Sequence, residues 1–247
     1  MNGSNRVARE KKHFDQLALT EGTVWWGAKT KAGQIRLKER ARLAIQHGRL
    51  HPGMRVLEPG AGNGDFTVLL AKTGAIIRGI EISPEQVALG NSRLMNFPET
   101  EIVEGDIAQL DYPDEVFHAV VGNSVLHHLD LNQAFPEIMR VLKPGGRFFF
   151  CEPNMMNPQI ALEKNIAFIG RYLQNSPDET AFFRWQIAKQ LERYGFSNIK
   201  VVPFDFLHPG IPDQWIRNLM KINYILNRTP MLREIGGSLQ ISAQKPS

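Results

Sequence analysis

Cysteine is nearly absent from the 247 residues: Cys151 stands alone. That excludes an intramolecular disulfide framework and any multi-cysteine zinc centre. No uninterrupted apolar stretch approaches the ~20 residues of a membrane-spanning helix. The opening MNGSNRVAREKKHF carries charge without the apolar run of a secretory signal, so a cytoplasmic location is the expectation. There is no repeat, no low-complexity tract and no Gly-Lys-Ser/Thr of a nucleotide P-loop. With 43% apolar and 22% charged residues, the chain is neither disordered nor fibrous.

Charge of one sign is scarce at the front. Residues 1–55 hold 12 Lys+Arg against 4 Asp+Glu, whereas residues 56–247 hold 17 against 21. A basic arm therefore precedes a mildly acidic body. Such an arm is a solvated helix surface or an attractor of polyanions.

The apolar pattern predicts helices over 5–20 and 31–49, the second closed by the turn His51-Pro52-Gly53. Short apolar runs then alternate with amphipathic stretches. Strands are expected at 54–57, 75–82, 102–103, 117–122, 147–151, 199–206 and 238–244. Helices are expected over 65–73, from Ser83-Pro84-Glu85-Gln86, over 131–142, 160–173 and 215–226, and from Ser176-Pro177-Asp178-Glu179 to Tyr194-Gly195. This alternation implies a mostly parallel sheet with helices on both faces.

The most informative segment is Glu58-Pro59-Gly60-Ala61-Gly62-Asn63-Gly64-Asp65, between a strand and a helix. Small residues there allow a tight turn and close backbone approach to a ligand, and the helix start offers free N–H groups. Glu81 ends the next strand, 21 residues after Gly60, close to the ~20-residue spacing of a ribose-binding acid. A dinucleotide fingerprint would place its third glycine at 65, where Asp65 stands, and Glu58 would repel a pyrophosphate while suiting an ammonium group.

This loop is followed in order by Glu81, Gly105-Asp106-Ile107, Asn123-Ser124-Val125-Leu126-His127-His128-Leu129 and Arg140-Val141-Leu142-Lys143-Pro144-Gly145-Gly146. The set closely resembles the class I S-adenosylmethionine (SAM)-dependent methyltransferases, most of all the small-molecule branch with ubiquinone- and menaquinone-type enzymes. The resemblance covers about residues 50–152 closely and 195–245 by pattern. It implies an α/β fold: a Rossmann-like seven-stranded, mostly parallel sheet, helices on both faces, the last strand antiparallel, with an N-terminal helical extension. The expected organisation is a helical arm or lid over 1–50 and a methyltransferase domain over 51–247, with substrate-specificity insertions in 152–230.

The resemblance also implies roles. Gly60, Ala61, Gly62, Asn63 and Gly64 would line the methionine end of SAM, and Glu58 would help hold its amino group. Glu81 would bind the ribose hydroxyls and Ile82 would pack on adenine. Asp106 would accept from the adenine amine, and the Ile107 N–H would meet a ring nitrogen. Asn123 and Ser124 would approach the transferring methyl.

The sulfonium activates the methyl, so the protein has chiefly to position an acceptor; a base is needed where the acceptor is protonated. His127 and His128 are the candidates for that base. A metal on this pair is not expected, because adjacent side chains should point apart and no third ligand is evident. Acceptor contacts are expected from Trp25, Trp26, Lys29, Glu152, Asn154 and Arg184. Cys151 lacks the Pro-Cys context of a cytosine C5 nucleophile, and Gly-Asn-Ser-Val replaces the Asn-Pro-Pro-Tyr of adenine amino methylation, so no DNA substrate is expected. The expected partner is a small, partly apolar acceptor methylated at oxygen or carbon: a lipid, quinone precursor or secondary metabolite. The helix at 215–226 is read as packing on its own domain, with peripheral membrane contact as its second use. The rivals are an RNA or protein methyltransferase docking through the basic arm, disfavoured if the arm is a lid, and a SAM-binding module without turnover.

Overall fold

The computed structural model describes residues 3–19, 29–166 and 180–247. Short apolar runs become seven strands: β1 (Arg55–Pro59), β2 (Ile76–Glu81), β3 (Glu101–Glu104), β4 (Phe117–Asn123), β5 (Leu142–Pro153), β6 (Ser197–Phe204) and β7 (Ser238–Gln244). They form one sheet in the order β3-β2-β1-β4-β5-β7-β6. β1 to β5 pair in parallel, while β7 runs antiparallel to both β5 and β6. This is the expected Rossmann-like sheet with an antiparallel last strand.

The helices are α1 (Gly3–Leu19), α2 (Lys31–Gly48), α3 (Asp65–Ala71), α4 (Pro84–Arg93), α5 (Leu131–Val141), α6 (Pro158–Asn165), α7 (Arg184–Arg193), α8 (Asp213–Arg228) and the single turn α9 (Pro230–Arg233). A 3₁₀ turn, Leu126–His128, follows β4. Three phenylalanines in β5 show why both faces must be covered. Side chains alternate along a strand. Phe148 and Phe150 join Phe135 and Ile138 of α5 and Ile187 and Leu191 of α7. Phe149 and Cys151 face the other way, among Ala41 and Ala44 of α2 and Phe66 and Leu70 of α3. Burial pushes the Cys151 thiol up to about 12, which leaves it a packed, inert sulfur.

Several element boundaries depart from expectation. Ser83 Oγ caps α4 by accepting from Gln86 N (3.4 Å), but the reciprocal bond is missing. The Ser83 N–H donates instead to Glu81 Oε1 (3.1 Å), a stronger local acceptor. β5 begins at Leu142, ahead of the Pro-Gly-Gly turn, and its register with β4 shifts between Phe117 and Ala119. α7 starts at Arg184. The helix start expected at 176–179, the later part of the 160–173 helix and Trp25-Trp26 lie outside the described residues. α8 is anchored through buried Ile216 and through Asn223 and Asn227, which accept from Phe206 N and Asp205 N. It thus packs on its own domain, as expected, while leaving Trp215, Ile222, Tyr224 and Ile225 about half exposed. Among the described residues, no helix is long and apolar enough to cross a membrane.

α2 docks on β4 and β5 through Ala41, Leu43, Ala44 and Gly48, with His47 stacked on Phe149 (centroids 4.9 Å apart). Phe149→Ala should lower unfolding stability by about 3–5 kcal/mol, the usual cost of a large aromatic cavity. Urea denaturation of the purified variant would measure it; a loss under 1 kcal/mol would contradict this packing.

Candidate functional site

The order of strands turns back between β1 and β4: the chain proceeds outward from β1 through β2 to β3, then returns to place β4 on the other side. The ends of those two strands diverge, and a crevice opens above them. A cavity of about 370 Å³ lies there.

Its floor is the loop after β1. Gly60 N and Ala61 N both donate to Ile80 O (2.8 and 3.1 Å), which ties the loop to β2. Gly60 has φ +64°, and a Cβ there would lie 2.4 Å from Val125 Cγ2. Gly62 has φ +53° and nothing within 4 Å of its would-be Cβ, so open space for a ligand lies above it. Gly60, Gly62 and Asn63 line the cavity.

Ala61, Gly64 and Glu58 do not line it. Ala61 packs with Leu94 and Ile102. Gly64 precedes α3 and presses on Gly90, where a Cβ would lie 3.0 Å from the Gly90 Cα. Glu58 is buried behind the loop, and its Oε2 has no hydrogen-bond partner. Burial, reinforced by nearby Glu81, pushes its carboxyl up to about 8. Glu58 is therefore absent from the cavity wall, where a contact with an amino group was expected.

On the β2–β3 side, Glu81 accepts from Gly62 N (2.9 Å) through Oε2 and from Ser83 N through Oε1. Each oxygen retains a second lone pair, enough for two vicinal hydroxyls. Burial raises its pKa. Asp106 accepts from Ala108 N (2.9 Å) through Oδ1 alone. Among the described residues no acceptor meets the Ile107 N–H. Ile82, Asp106 and Ile107 all line the cavity. Open space above Gly62, spare carboxylate lone pairs and an unused amide together fit a nucleoside bearing a zwitterionic tail.

On the β4–β5 side, Ser124 holds a left-handed φ of 56°, uncommon for a residue with a side chain, and lines the cavity. Asn123 lies just outside the lining; its Oδ1 accepts from Arg40 Nη1 (3.0 Å). Buried Glu152 organises this side. Its Oε1 accepts from Val125 N and Leu126 N (3.0 and 2.9 Å), and its Oε2 lies 2.6 Å from His127 Nδ1. A carboxylate accepts only, so His127 Nδ1 carries the hydrogen and Nε2 is left as the basic nitrogen. His128 Nδ1 lies 3.0 Å from Glu10 Oε2 of α1. The two histidine rings do not point apart: their centroids are 4.1 Å from each other and both line the cavity. Adjacent side chains in a helical turn diverge by about 100–120°, not the 180° of a strand. Among the described residues no group of three or more His, Cys, Asp or Glu is arranged to hold a metal.

The expected acceptor contacts fare differently. Glu152 and Asn154 are fully buried and absent from the cavity wall. Asn154 Nδ2 donates to Glu234 O and Gly236 O (2.8 and 2.7 Å), bracing the approach to β7. Arg184 pairs with Glu234 (2.8 Å) and, like exposed Lys29, does not reach the cavity. The wall includes residues not singled out by motif: Arg6, Glu10, His13 and Phe14 of α1, and Arg36 and Arg40 of α2. The i, i+4 spacing of Arg36 and Arg40 puts them on one helix face, but nothing in the sequence says that this face looks inward.

Residues 57–150 match the methyltransferase domain family. The chain is 31% identical over 175 residues to a demethylmenaquinone methyltransferase of Chlorobaculum parvum, covering 62% of this chain and 69% of that protein. It is 40% identical over 111 residues to a sterol 24-C-methyltransferase of Yarrowia lipolytica, covering 43% of this chain and 29% of that protein. The matched stretch spans about half the length of several curated relatives. A chain in the complex of the Haloferax volcanii Trm112 methyltransferase activator with a methyltransferase shares the fold at TM-score 0.69 and 19% identity, covering 95% of this chain and 98% of that one.

Glu58 gives this site a pH signature. Its folded pKa of about 8 lies above the ~4.3 of an unfolded glutamate, so between those values the folded state holds the extra proton. Stability is then lost as pH rises from about 5 to 8, on the order of a few kcal/mol. Glu58→Gln, which cannot ionise, should flatten that fall. Melting temperatures of both proteins between pH 5 and 8.5 would check it, and parallel slopes would disprove the assignment.

Proposed function

Since the chain belongs to the class I SAM-dependent methyltransferases, we propose that its cavity holds SAM across the gap between β1 and β4 and serves methyl transfer to oxygen or carbon of a small, partly apolar acceptor. The observation that carries this reading is the division of one cavity: Gly62, Glu81, Asp106 and Ile107 on one side, the Glu152–His127 pair on the other. The bound cofactor supplies an activated methyl on a sulfonium.

The residues then have separate tasks. Glu81 takes the ribose hydroxyls on its spare lone pairs. Asp106 Oδ2 and the Ile107 N–H read the purine edge. The Gly60–Gly62 backbone lies along the methionine portion. Glu152 holds His127 in the tautomer that leaves Nε2 to receive the proton an acceptor hydroxyl or carbon releases; Glu152 is thus a positioning residue. α1 lies over the cavity. Arg6 Nη2 donates to His127 O (3.1 Å), and Lys11 Nζ donates to Ile82 O (2.8 Å), so one helix is fastened at both sides. A cover of this kind excludes water and confines the acceptor.

The names of the relatives give a demethylmenaquinone and a sterol carbon as acceptors of those proteins, which supports an apolar acceptor here. Docking of RNA through the basic arm draws less support. Arg36 and Arg40 turn into the cavity, and outward-facing Arg42 is paired with Glu39 (2.7 Å).

Calorimetry with S-adenosylhomocysteine should give at least tenfold weaker binding for Asp106→Ala and Gly62→Val, about 1.4 kcal/mol or more. Undiminished affinity in both would remove the cofactor assignment. His127→Asn should keep that affinity while slowing transfer from isotopically labelled SAM to acceptors in a cell extract by roughly 10²–10⁴-fold. Wild-type rates in His127→Asn would exclude it as the base.

A further inference from the structure

Two guanidinium groups of the cavity wall share one carboxylate behind it. Arg36 Nε donates to Asp205 Oδ2 (2.8 Å), and Arg40 Nη2 reaches the same oxygen (3.4 Å). Arg40 is further fixed by Ser238 Oγ (2.6 Å), Asn123 Oδ1 (3.0 Å) and Ser124 Oγ (3.1 Å). All three side chains are largely buried, with 14%, 12% and 7% exposure for Arg36, Arg40 and Asp205. Burial alone would raise the Asp205 carboxyl, but Arg36 and Arg40 hold it below its ordinary value, so it is ionised. The neighbouring Cys151 is a neutral thiol and Ser238 is uncharged.

Within this triad two guanidinium groups meet one carboxylate, away from bulk water; the nearest other buried carboxyls, Glu152 and Glu163, are engaged by Val125 N, Leu126 N and His127, and by Gln159. Removing an ion from water costs several kcal/mol unless it is paired. The hydrogen bonds are also incomplete. Arg40 Nε is buried without a partner, and the two Nη groups of Arg36 meet no acceptor among the described residues. Both arginines line the cavity. They stand at the ends of β4, β7 and β6, the half of the sheet away from Glu81 and Asp106.

We propose that Arg36 and Arg40, held by Asp205 and Ser238, form an oxyanion subsite for the methyl acceptor, which therefore carries a carboxylate or an ionised enol or phenol. The planar guanidinium of Arg36, tied only through Nε, offers its Nη pair as a fork matched to such a group. With the acceptor's acid on Arg36, its apolar body lies along the wall formed by Val125, Ile160 and Phe14, within reach of His127. The subsite rests on the methyl-transfer reading of the cavity, and it narrows the acceptor class from apolar to apolar with one acidic oxygen.

The test uses protein saturated with S-adenosylhomocysteine and calorimetric titration with 2-naphthoate, with 2-naphthamide as the neutral counterpart. The naphthoate should bind at least about tenfold more tightly than the amide, and Arg36→Gln should abolish that preference. Arg36→Lys, which keeps the charge and loses the fork, should retain part of it. Affinity for S-adenosylhomocysteine, measured first, reports both folding and the cofactor reading. A variant that retains it is intact, so loss of the naphthoate alone belongs to the subsite. Equal or absent binding of the two probes, or an unchanged preference in Arg36→Gln, would overturn the proposal. So would a third result: Arg36→Gln and Arg40→Gln weakening S-adenosylhomocysteine but not 5′-methylthioadenosine, which lacks the amino-acid carboxylate. That outcome would assign the cations to the cofactor's own acid.

Discussion

The parallel contact of β1 with β4 is the constraint on which the site depends. From that line the sheet extends in both directions, through β2 and β3 on one side and through β5, β7 and β6 on the other. The loops that follow β1 and β4 must therefore pass one another above the sheet. They do so at contact distance: a Cβ on Gly60 would collide with Val125, and Ser124 accepts a left-handed backbone. Unfavourable backbone conformations of this kind cost of order 1–3 kcal/mol each and persist only where surrounding structure enforces them. Here the enforcement comes from Ile80 O holding the Gly60 and Ala61 amides and from Cys151 O holding the Ser124 amide.

The two sides of that line carry different charged groups. Carboxyl groups Glu58, Glu81 and Asp106 lie at the ends of β1 to β3, and guanidinium groups approach the ends of β4, β7 and β6. Glu58 and Glu81 are raised by burial, so much of the negative charge on the first side is latent until a cation or a hydrogen-bond donor arrives. On the other side Asp205 is ionised and shared by two arginines, while Glu152 is taken up by the turn after β4. The basic arm read from composition is thus not one feature. Along α2, Arg36 and Arg40 serve the interior while Lys38 and Arg42 face water.

Legibility in the sequence followed the range of each interaction. That Gly60, Gly62, Asn63 and Glu81 gather at the crevice was readable because a turn and a strand end impose local requirements on residue type, and Asp106 came from the resemblance. The antiparallel last strand and the 238–244 boundaries came from resemblance and from alternation. The Glu152–His127 pair was not readable as a pair: 25 residues separate them, and only the parallel register of β4 with β5 brings Glu152 under the turn that carries His127. Glu152 therefore read as an acceptor contact although its oxygens are used up by the fold. Asp205 gave no signal, because its partners lie 165 and 169 residues away. The half-made capping box at Ser83 failed for a related reason: a capping rule counts only the residues of the helix start, and Glu81, two residues earlier, took the amide first.

How α1 is attached bears on how the two halves of the cavity work together. It grips main-chain carbonyls, His127 O and Ile82 O, at residues whose side chains line opposite sides. A helix fastened to backbone leaves the side chains that line the cavity unconstrained by the fastening. His127 O belongs to the 3₁₀ turn whose amides rest on Glu152, so a pull on Arg6 is a pull on the turn that sets the His127 ring. The fold alone does not decide the chemistry, since one sheet architecture serves many reactions. What distinguishes this chain on the β4–β5 side is a histidine held against Glu152 and two arginines sharing Asp205, beside a helix that the sequence marked only as basic.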